Sequence, residues 1–230
     1  MSASDAAKRA AAERAVAEEV TSGMAVGLGT GSTASPAVEA IGRLLAEGAL
    51  RDVRGVPTSE ATAALARRVG VPLTTLDETP ELDVAIDGAD EIAPGLRLVK
   101  GLGGALLREK IVAAAARRFV VVADASKRVE RLGERAPVPV EVIPFALEPT
   151  RRRLAALGCE PVLRTGPDGG PFTTDEGNRI LDCRFGPIAD PEAVAAAIRA
   201  VPGVVEHGLF LDFAAIAYVA GPGHVEVLSR

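Results

Sequence analysis

The sequence has no tryptophan, one tyrosine and six phenylalanines, so aromatic residues make up only 3% of its 230 residues. A surface that stacks the bases of single-stranded nucleic acid needs aromatic side chains, and this composition argues against one. Basic residues are also outnumbered, because 26 Lys and Arg stand against 31 Asp and Glu, a net charge of −5. Such a chain has no basic surplus to neutralise the phosphates of a duplex, so we expect no nucleic-acid partner.

Long apolar segments and cysteines are few as well. The most apolar segments, 111–123 and 209–220, are both interrupted by charged residues, whereas a membrane-spanning helix needs about 20 predominantly apolar residues. The charged N-terminus lacks the apolar core of a signal peptide. Cys159 and Cys183 match neither a zinc pair nor a CxxC redox motif. We therefore expect a cytoplasmic protein with reduced thiols and no membrane partner.

The sequence does contain a regular alternation of short apolar segments and helix-forming segments over its first 127 residues. Strands are predicted at 24–28, 53–56, 71–73, 82–86, 96–99 and 119–123, and helices at 5–22 (with Ser4 as its cap), 34–45, 59–69 and 104–117. This order is typical of an α/β domain with a mostly parallel sheet that helices cover on both faces.

The composition changes after Lys127, where Pro, Gly and Arg become frequent. Strands are predicted at 138–143, 160–163, 172–174 and 180–185, and helices at 148–157 and 190–200. This order suits a small α+β unit of the ferredoxin-like type. Two further apolar segments, 204–210 and 215–219, are predicted to return to the first sheet. The predicted domains are therefore residues 1–127 plus 203–230, and residues 128–202.

Glycines and hydroxyl residues follow the first predicted strand, in the segment G-L-G-T-G-S-T at 27–33. Glycines let backbone N–H groups approach an anion, and the start of the next helix adds partial positive charge. The segment therefore suits a phosphate monoester, although a tight turn capped by a hydroxyl would look the same. It is not a dinucleotide fingerprint, because Ser32 stands where the last glycine should be, and the P-loop lysine is missing.

Two aspartates follow a buried strand in the segment D-G-A-D-E at 87–91. Ligands of open α/β sheets bind beyond the carboxyl ends of the strands, so we expect Asp87 and Asp90 in a crevice. Two carboxylates in one site can take acid, base or hydrogen-bonding roles. The alternatives are a magnesium site and a helix cap with solvated neighbours.

A lysine and a glutamate frame the third segment, K-G-L-G-G-A-L-L-R-E-K at 100–110. Lys100 ends a predicted strand, and Glu109 lies in the helix that follows. The predicted core stripe of this helix is Leu107, Ile111, Ala114 and Ala115. Glu109 is displaced by about 200° from Leu107 and from Ile111, so it is predicted to face away from that stripe. A solvated glutamate is the alternative interpretation.

The remaining lysine and the two histidines help to define the type of reaction. Lys127 follows another strand end, whereas His207 and His224 are isolated and are interpreted as structural or surface residues. An anion site, a carboxylate base and a lysine, without a cofactor or a metal, are the groups that move a proton between adjacent carbons of a sugar phosphate.

Together these segments resemble the A type of ribose-5-phosphate isomerases. The matching motifs are G-x-G-T-G-S-T-A at 27–34, D-G-A-D-E-I at 87–92, K-G-x-G-G-A-L-x-R-E-K at 100–110, D-x-S-K at 124–127, T-D-x-G-N-x-I-x-D at 174–182 and G-V-V-E-x-G-L-F at 203–210. The resemblance implies interconversion of ribose 5-phosphate and ribulose 5-phosphate in the non-oxidative pentose phosphate pathway. It also implies a doubly wound, Rossmann-like domain with a smaller α+β domain, in a homodimer or tetramer.

The resemblance also implies roles for individual residues. Glu109 would move the proton between C1 and C2, Lys100 would stabilise the enediolate, Asp87 would assist ring opening, and Asp90 would hold sugar hydroxyls. The implied substrate-binding residues are Thr30, Gly31, Ser32, Thr33, Asp87, Gly88, Ala89, Asp90, Lys100, Gly101, Leu102, Gly103 and Lys127. Lys8 or Arg9 is a further candidate for the phosphate. Leu102 departs from the family pattern, because many relatives have glycine there.

Other functions remain open on the sequence. A sugar-phosphate deaminase, a lactonase or a CoA transferase would share the broad fold, although a deaminase is expected to use a histidine that no strand end supplies here. A sugar-phosphate sensor without activity would not need Glu109, Lys100 and the two aspartates together. A nicotinamide oxidoreductase is disfavoured by the failed fingerprint.

Overall fold

A computed structural model describes residues 3–221 and 223–230, and they form two compact units. The first unit contains the described residues up to Ala89, together with Arg108–Lys127 and Phe213–Arg230. The second contains Asp90–Leu107 and Arg128–Asp212.

The elements in chain order are α1 (Ala3–Glu19), β1 (Ala25–Leu28), α2 (Ser35–Ala46), β2 (Arg54–Pro57), α3 (Glu60–Arg68), β3 (Val84–Gly88), β4 (Glu91–Ala93), β5 (Arg97–Val99), α4 (Leu106–Ala115), β6 (Phe119–Asp124), a 3₁₀ turn (Ala125–Lys127), β7 (Val138–Val142), α5 (Leu147–Ala155), β8 (Glu160–Leu163), β9 (Arg179–Arg184), α6 (Pro191–Arg199), β10 (Val204–His207), β11 (Leu209–Phe210), β12 (Ala214–Gly221) and β13 (His224–Ser229).

The first unit is built on a six-stranded sheet in the order β13-β12-β6-β3-β1-β2. All neighbouring strands are parallel except β13, which pairs antiparallel with β12. Every residue of β1 and β3 is buried, because helices cover both faces of a parallel sheet and leave no side for polar residues. The predicted α/β class with a mostly parallel sheet is therefore confirmed. None of the helices in the described part of the chain is long and apolar enough to cross a membrane.

The order of the strands reverses at β1. The chain leaves β1 for β2 on one side and returns to β3 on the other. Connections therefore diverge between β1 and β3, and a crevice opens beyond their carboxyl ends. This crevice is the place where the fold itself predicts a ligand.

The second unit contains two antiparallel sheets. Four strands pair in the order β10-β7-β9-β8, with α5 between β7 and β8 and α6 between β9 and β10. This is the ferredoxin-like order that the sequence predicted. Three short strands form the other sheet, in the order β11-β5-β4. The core of the unit is aliphatic, and its most buried members include Val138, Val140, Leu154, Leu181 and Ile198.

The prediction that 204–210 returns to the first sheet is wrong. The segment divides at Gly208: β10 pairs with β7 and β11 pairs with β5. Gly208 joins the two sheets, because its N–H donates to the Pro139 carbonyl at 2.7 Å and its carbonyl accepts from the Lys100 N–H at 2.9 Å. The predicted domain limits placed 90–107 and 203–212 in the larger domain, whereas both segments lie in the second unit.

Smaller differences concern edges and ends. The predicted strand at 71–73 is only a single bridge between Leu73 and Gly55, and 172–174 forms no strand. Strands β4 and β13 were not predicted, since β4 has three residues and β13 is partly exposed and carries little apolar signal. Helix α1 begins at Ala3, so Ser4 lies inside it rather than at its cap.

A buried glutamate in β7 gives a stability prediction. Glu141 is 1% exposed, and one of its oxygens, Oε1, accepts from Thr174 Oγ1 and from Asn178 Nδ2, both at 2.9 Å. Burial raises the pKa of Glu141 above 4.5, although these two hydrogen bonds oppose the shift. A carboxyl with a raised pKa favours folding below its unfolded pKa, and that contribution is lost as the pH rises through the raised value.

Glu141→Gln should therefore raise the melting temperature at pH 8, because an amide oxygen can accept both hydrogen bonds without a buried charge. The gain should disappear near pH 4, where wild-type Glu141 is protonated. Glu148→Gln is the matched control, because Arg151 and Arg152 lower the pKa of the exposed Glu148 to about 2, and no gain is expected there. Thermal melts across this pH range provide the measurement. A variant less stable than the wild type at pH 8 would contradict the prediction.

Candidate active site

The predicted anion loop and Asp87 meet at the reversal between β1 and β3. The Thr30 N–H donates to Asp87 Oδ1 at 3.1 Å, and the Gly88 N–H donates to the same oxygen at 2.7 Å. Asp87 is only 3% exposed. The loop passes so close to it that a Cβ on Gly29 would lie 2.6 Å from the Asp87 Cα. Only glycine fits there, so one glycine of the motif is explained by close approach to the aspartate.

A cluster of hydroxyl groups holds the other side of Thr30. The Thr30 Oγ1 lies 2.7 Å from Thr58 Oγ1, 2.8 Å from Ser59 Oγ and 3.0 Å from Thr62 Oγ1. The Thr62 hydroxyl in turn donates to the Gly29 carbonyl at 3.0 Å. The Thr30 side chain is thus used to fix the loop. Sequence reasoning missed this cluster, although Thr58 and Ser59 follow the end of β2, which neighbours β1.

The tip of the loop faces solvent. Gly31 and Ser32 are exposed and Thr33 is half-buried. Within the described ranges, the backbone N–H groups of these three residues donate to no protein acceptor. Helix α2 begins directly afterwards at Ser35. Exposed N–H groups at a helix start, next to hydroxyl groups, are the donors that a phosphate needs.

Two of the basic candidates have distinct surroundings. The Lys8 ammonium donates to Ser32 Oγ at 3.2 Å, which places a cation at the loop. Arg9 instead pairs with Glu39 at 2.8 Å, so the structure favours Lys8 of the two. Lys127 is half-buried in the 3₁₀ turn after β6, and β6 neighbours β3 in the sheet.

The predicted core stripe of α4 is wrong. Ile111 is 49% exposed, whereas Glu109 is 5%, Val112 3% and Ala113 4% exposed. Glu109 does lie on the opposite face from Ile111, as its position in the helix requires, but that opposite face is the buried one. Glu109 and Asp87 line one narrow void, too small for a water molecule, together with Gly27, Gly29 and Thr58. The glutamate is thus in the interior of the first unit, with the aspartate and beside the anion loop.

An ion pair connects α4 to α3 within the first unit. Arg108 Nη1 lies 2.9 Å from Glu60 Oε1 at the start of α3. The Arg108 guanidinium holds the pKa of Glu60 below its usual value. Arg108 directly precedes Glu109 in the same helix turn.

The other catalytic candidates lie in the second unit. Lys100 is 2% exposed, and its ammonium lies 5.5 Å from the centre of the Phe210 ring. Its loop turns at Gly101, which has φ +104°, and a Cβ on Gly101 would lie 2.6 Å from the Leu106 Cβ. The loop is therefore restricted to glycine there. Asp90 Oδ2 accepts from the Leu102 N–H at 2.9 Å, so Asp90 also shapes the loop.

Glu91, which belongs to the second predicted motif, takes a structural role that sequence reasoning missed. Its carboxylate is 1% exposed and accepts from the N–H groups of Gly133 at 2.6 Å, Arg135 at 2.7 Å and Ala136 at 2.8 Å. Three backbone donors compensate a buried carboxylate. As for the magnesium alternative, no group of three or more His, Cys, Asp and Glu side chains suited to a metal ion occurs among the described residues.

Comparison with known proteins identifies the family. The model of the ribose 5-phosphate isomerase A (phosphoriboisomerase A) family matches residues 54–224, well over half of the chain. The chain belongs to the ribose 5-phosphate isomerase A family. The predicted resemblance is thus confirmed, and with it the prediction of an isomerase.

Individual members of the ribose 5-phosphate isomerase A family are similar along nearly the whole chain. A ribose-5-phosphate isomerase A from Roseiflexus castenholzii is 66% identical over 221 residues, which cover 96% of this chain and 94% of the relative. The structure of ribose 5-phosphate isomerase A from Methanocaldococcus jannaschii is 42% identical with a TM-score of 0.93, over 98% of this chain and 99% of that one. A D-ribose-5-phosphate isomerase solved with phospho-erythronic acid has 39% identity and a TM-score of 0.96, over 100% of both chains.

Proposed function

We propose that this member of the family interconverts ribose 5-phosphate and ribulose 5-phosphate, with Glu109 as the group that moves the proton. The observation that carries this proposal is the burial of Glu109, which is 5% exposed and lines the same narrow void as Asp87. A carboxylate shielded from water beside an anion loop suits proton abstraction next to a carbonyl. The reaction belongs to the non-oxidative pentose phosphate pathway.

The phosphate of the substrate would bind at the exposed tip of the anion loop. Backbone N–H groups of Gly31, Ser32 and Thr33 supply donors, and the start of α2 supplies partial positive charge. Lys8, which already contacts Ser32 at 3.2 Å, would add a full positive charge, and Lys127 is the second cation. Thr30 would contribute through the loop shape that its hydroxyl contacts maintain.

Ring opening comes before proton transfer, because the furanose form has no carbonyl group. We assign this step to Asp87, whose carboxylate is held by the N–H groups of Thr30 and Gly88. Asp87 would accept the proton of the C1 hydroxyl and deliver it to the ring oxygen as the bond between C1 and that oxygen breaks. Asp90, Gly88 and Ala89 are assigned to the sugar hydroxyls.

Proton transfer then converts the open aldose to the ketose. Glu109 would remove the C2 proton, and the electron pair would form the C1–C2 double bond of an enediolate while the C1 carbonyl oxygen takes the negative charge. The protonated Glu109 would return its proton to C1, and the proton of O2 would pass to the negative O1, so that the C2 carbonyl and the C1 hydroxyl form together. One base serves both carbons because they are adjacent.

Lys100 is assigned to the negative charge of the enediolate. A buried ammonium, 2% exposed, interacts more strongly with a developing charge than a solvated one does. Gly101, Leu102 and Gly103 would line the substrate through their backbone.

We further propose that the enzyme forms a homodimer or tetramer and acts in the cytoplasm, without a nucleic-acid or membrane partner. The family resemblance supports the oligomer and the location, and the net charge of −5 argues against a nucleic-acid partner. Light scattering on the purified protein measures the oligomeric state, and a monomer would contradict the assignment.

Incubation of the purified protein with ribose 5-phosphate, after exhaustive EDTA treatment, should yield ribulose 5-phosphate. Turnover is expected to be unchanged by EDTA, because Glu109, Lys100 and Asp87 supply the base, the cation and the ring-opening group. Phospho-erythronic acid carries a carboxylate and a phosphate, so it should inhibit competitively. Absence of ketose would contradict the proposed reaction, and activity that returns only with added metal would assign Asp87 and Asp90 to a cation.

A further inference from the structure

The loop that carries Lys100 is held by an arginine from a distant part of the second unit. Arg164 Nη1 donates to the Gly101 carbonyl at 2.9 Å and to the Leu102 carbonyl at 3.0 Å. Arg164 directly follows β8, more than 60 residues along the chain from the loop. A single guanidinium nitrogen thus bridges the carbonyl groups of two consecutive residues, Gly101 and Leu102, in the loop that follows Lys100.

One peptide unit of the loop is fixed from both ends. The carbonyl of the Gly101–Leu102 peptide accepts from Arg164, and the N–H of the same peptide donates to Asp90 Oδ2 at 2.9 Å. A peptide unit is planar and rotates as a body. Hydrogen bonds at its opposite edges therefore set the orientation of this peptide, which begins one residue after Lys100.

Arg164 is itself held firmly. Its Nε donates to Asp182 Oδ2 at 2.9 Å, and the side chains of the pair are only 12% and 20% exposed. Its guanidinium lies 5.9 Å from the centre of the Phe172 ring. The backbone N–H of Arg164 donates to Ile180, and its carbonyl accepts from Phe172. A planar fork with this many partners retains little freedom, which distinguishes arginine from lysine at such a position.

Phe172 extends the same contact surface to the end of the loop. A Cβ on Gly104, which has φ +90°, would lie 2.7 Å from the Phe172 Cε1. The ring thus packs directly against the Gly104 backbone. Arg164 and Phe172, both from the segment between β8 and β9, therefore contact the loop at Gly101, Leu102 and Gly104.

We propose that Arg164 is a positioning residue for the isomerase reaction, which holds the Gly101–Leu102 peptide and thereby places Lys100. This inference rests on the proposed function, in which Lys100 stabilises the enediolate. Asp182 neutralises the guanidinium, so Arg164 acts as a hydrogen-bond donor to the loop rather than as a second cation for the substrate. Its effect should appear in kcat, because misplacement of a catalytic group weakens the transition state more than ground-state binding.

Arg164→Ala should lower kcat by about 10- to 100-fold, the loss expected when a catalytic group moves by about 1 Å, with KM changed by less than about threefold. Arg164→Lys keeps the charge but loses the fork, so it should recover only part of the rate. Added guanidinium at low millimolar concentration should partly restore Arg164→Ala and should not affect Arg164→Lys. Arg151→Ala is the matched control, because Arg151 pairs with Glu148 at 2.8 Å on the exposed side of α5, and its kcat should equal that of the wild type.

Two further measurements separate positioning from a general structural role. Hydrogen exchange at the amides of Leu102 and Gly104 should accelerate in Arg164→Ala, whereas exchange in the core strands should not. In a double-mutant cycle, Arg164→Ala in a Lys100→Ala background should lower kcat by less than about twofold, because the group that it places is already absent. If Arg164→Ala does not fold, Asp182→Asn loosens the same guanidinium with little change in shape and takes its place.

The inference is overturned if Arg164→Ala retains the wild-type kcat, or if its full loss persists without Lys100. Its failure can be told apart from that of the proposed function. A wild-type protein that makes no ribulose 5-phosphate contradicts the function, while the exchange measurement still shows whether Arg164 orders the loop. An active wild type whose kcat does not depend on Arg164 contradicts this inference alone.

Discussion

Glu109→Gln is expected to lose about 10²- to 10⁴-fold in kcat, the range that a positioned general base contributes. Glutamine has almost the same shape and fills the same buried position, where Glu109 is 5% exposed, but it cannot take up the C2 proton. In the proposed function the anion loop and other residues bind the substrate, so KM should change by less than about threefold. Steady-state kinetics on the purified variant provide the measurement.

The control for this variant is Glu81→Gln, which neutralises an exposed glutamate of the same unit. Glu81 pairs with Arg117 at 2.8 Å, and both side chains are more than two-thirds exposed. Its kcat should equal that of the wild type. A Glu109→Gln enzyme that retains wild-type kcat, in a folded protein, would show that another group removes the proton.

Lys100→Ala is expected to lower kcat by about 10²- to 10³-fold, the cost of removing one group that stabilises an oxyanion. The charge of the enediolate exists only in the transition state and the intermediate, so KM should change little. Because Lys100 is 2% exposed and stacks on Phe210 at 5.5 Å, truncation also removes packing. Lys100→Met keeps most of the apolar stem and should show the same loss of kcat with a higher melting temperature than Lys100→Ala.

Kinetics of the two Lys100 variants separate charge from packing. If Lys100→Met restored most of the rate, packing rather than the ammonium would be the contribution of this residue. A change confined to KM would assign Lys100 to substrate binding instead of transition-state stabilisation.

Local patterns were sufficient for most of the first unit. The strands β1, β3 and β6 contain short apolar runs that are followed by glycine or aspartate. Such runs are typical of parallel strands that are buried on both faces. The carboxyl ends of parallel strands meet at one edge, so the anion loop and Asp87 could be expected together from sequence. The hydrogen bond of 3.1 Å between Thr30 and Asp87 agrees with that expectation.

Local patterns failed where the chain has apolar residues on two faces or depends on distant partners. In α4, Leu107 and Ile111 have the same spacing as a core stripe, yet Glu109, Val112 and Ala113 are the residues that are buried. Periodicity gives the relative angles of side chains but not which face is covered, since the neighbouring elements decide that.

Distant partners account for the other omissions. Thr30 meets Thr58, Ser59 and Thr62 across about 30 residues, and Arg164 meets Gly101 across 63. The segment 204–210 reads as one apolar strand, but Gly208 hydrogen-bonds to two different sheets and divides it. No window of a few residues contains that information.

Transfer of hydrogen between C2 and C1 is the most direct test of the central claim. In water, ribose 5-phosphate deuterated at C2 should be converted more slowly than the undeuterated substrate. Part of the ribulose 5-phosphate formed should carry solvent hydrogen at C1. A carboxylate base such as Glu109 accounts for both results, because it breaks the C2–D bond and because its deuteron can exchange with water before it returns. The account would be contradicted if the wild-type enzyme kept all of the deuterium at C1 and the product formed by the residual activity of Glu109→Gln kept all of it as well. That outcome would indicate a hydride shift.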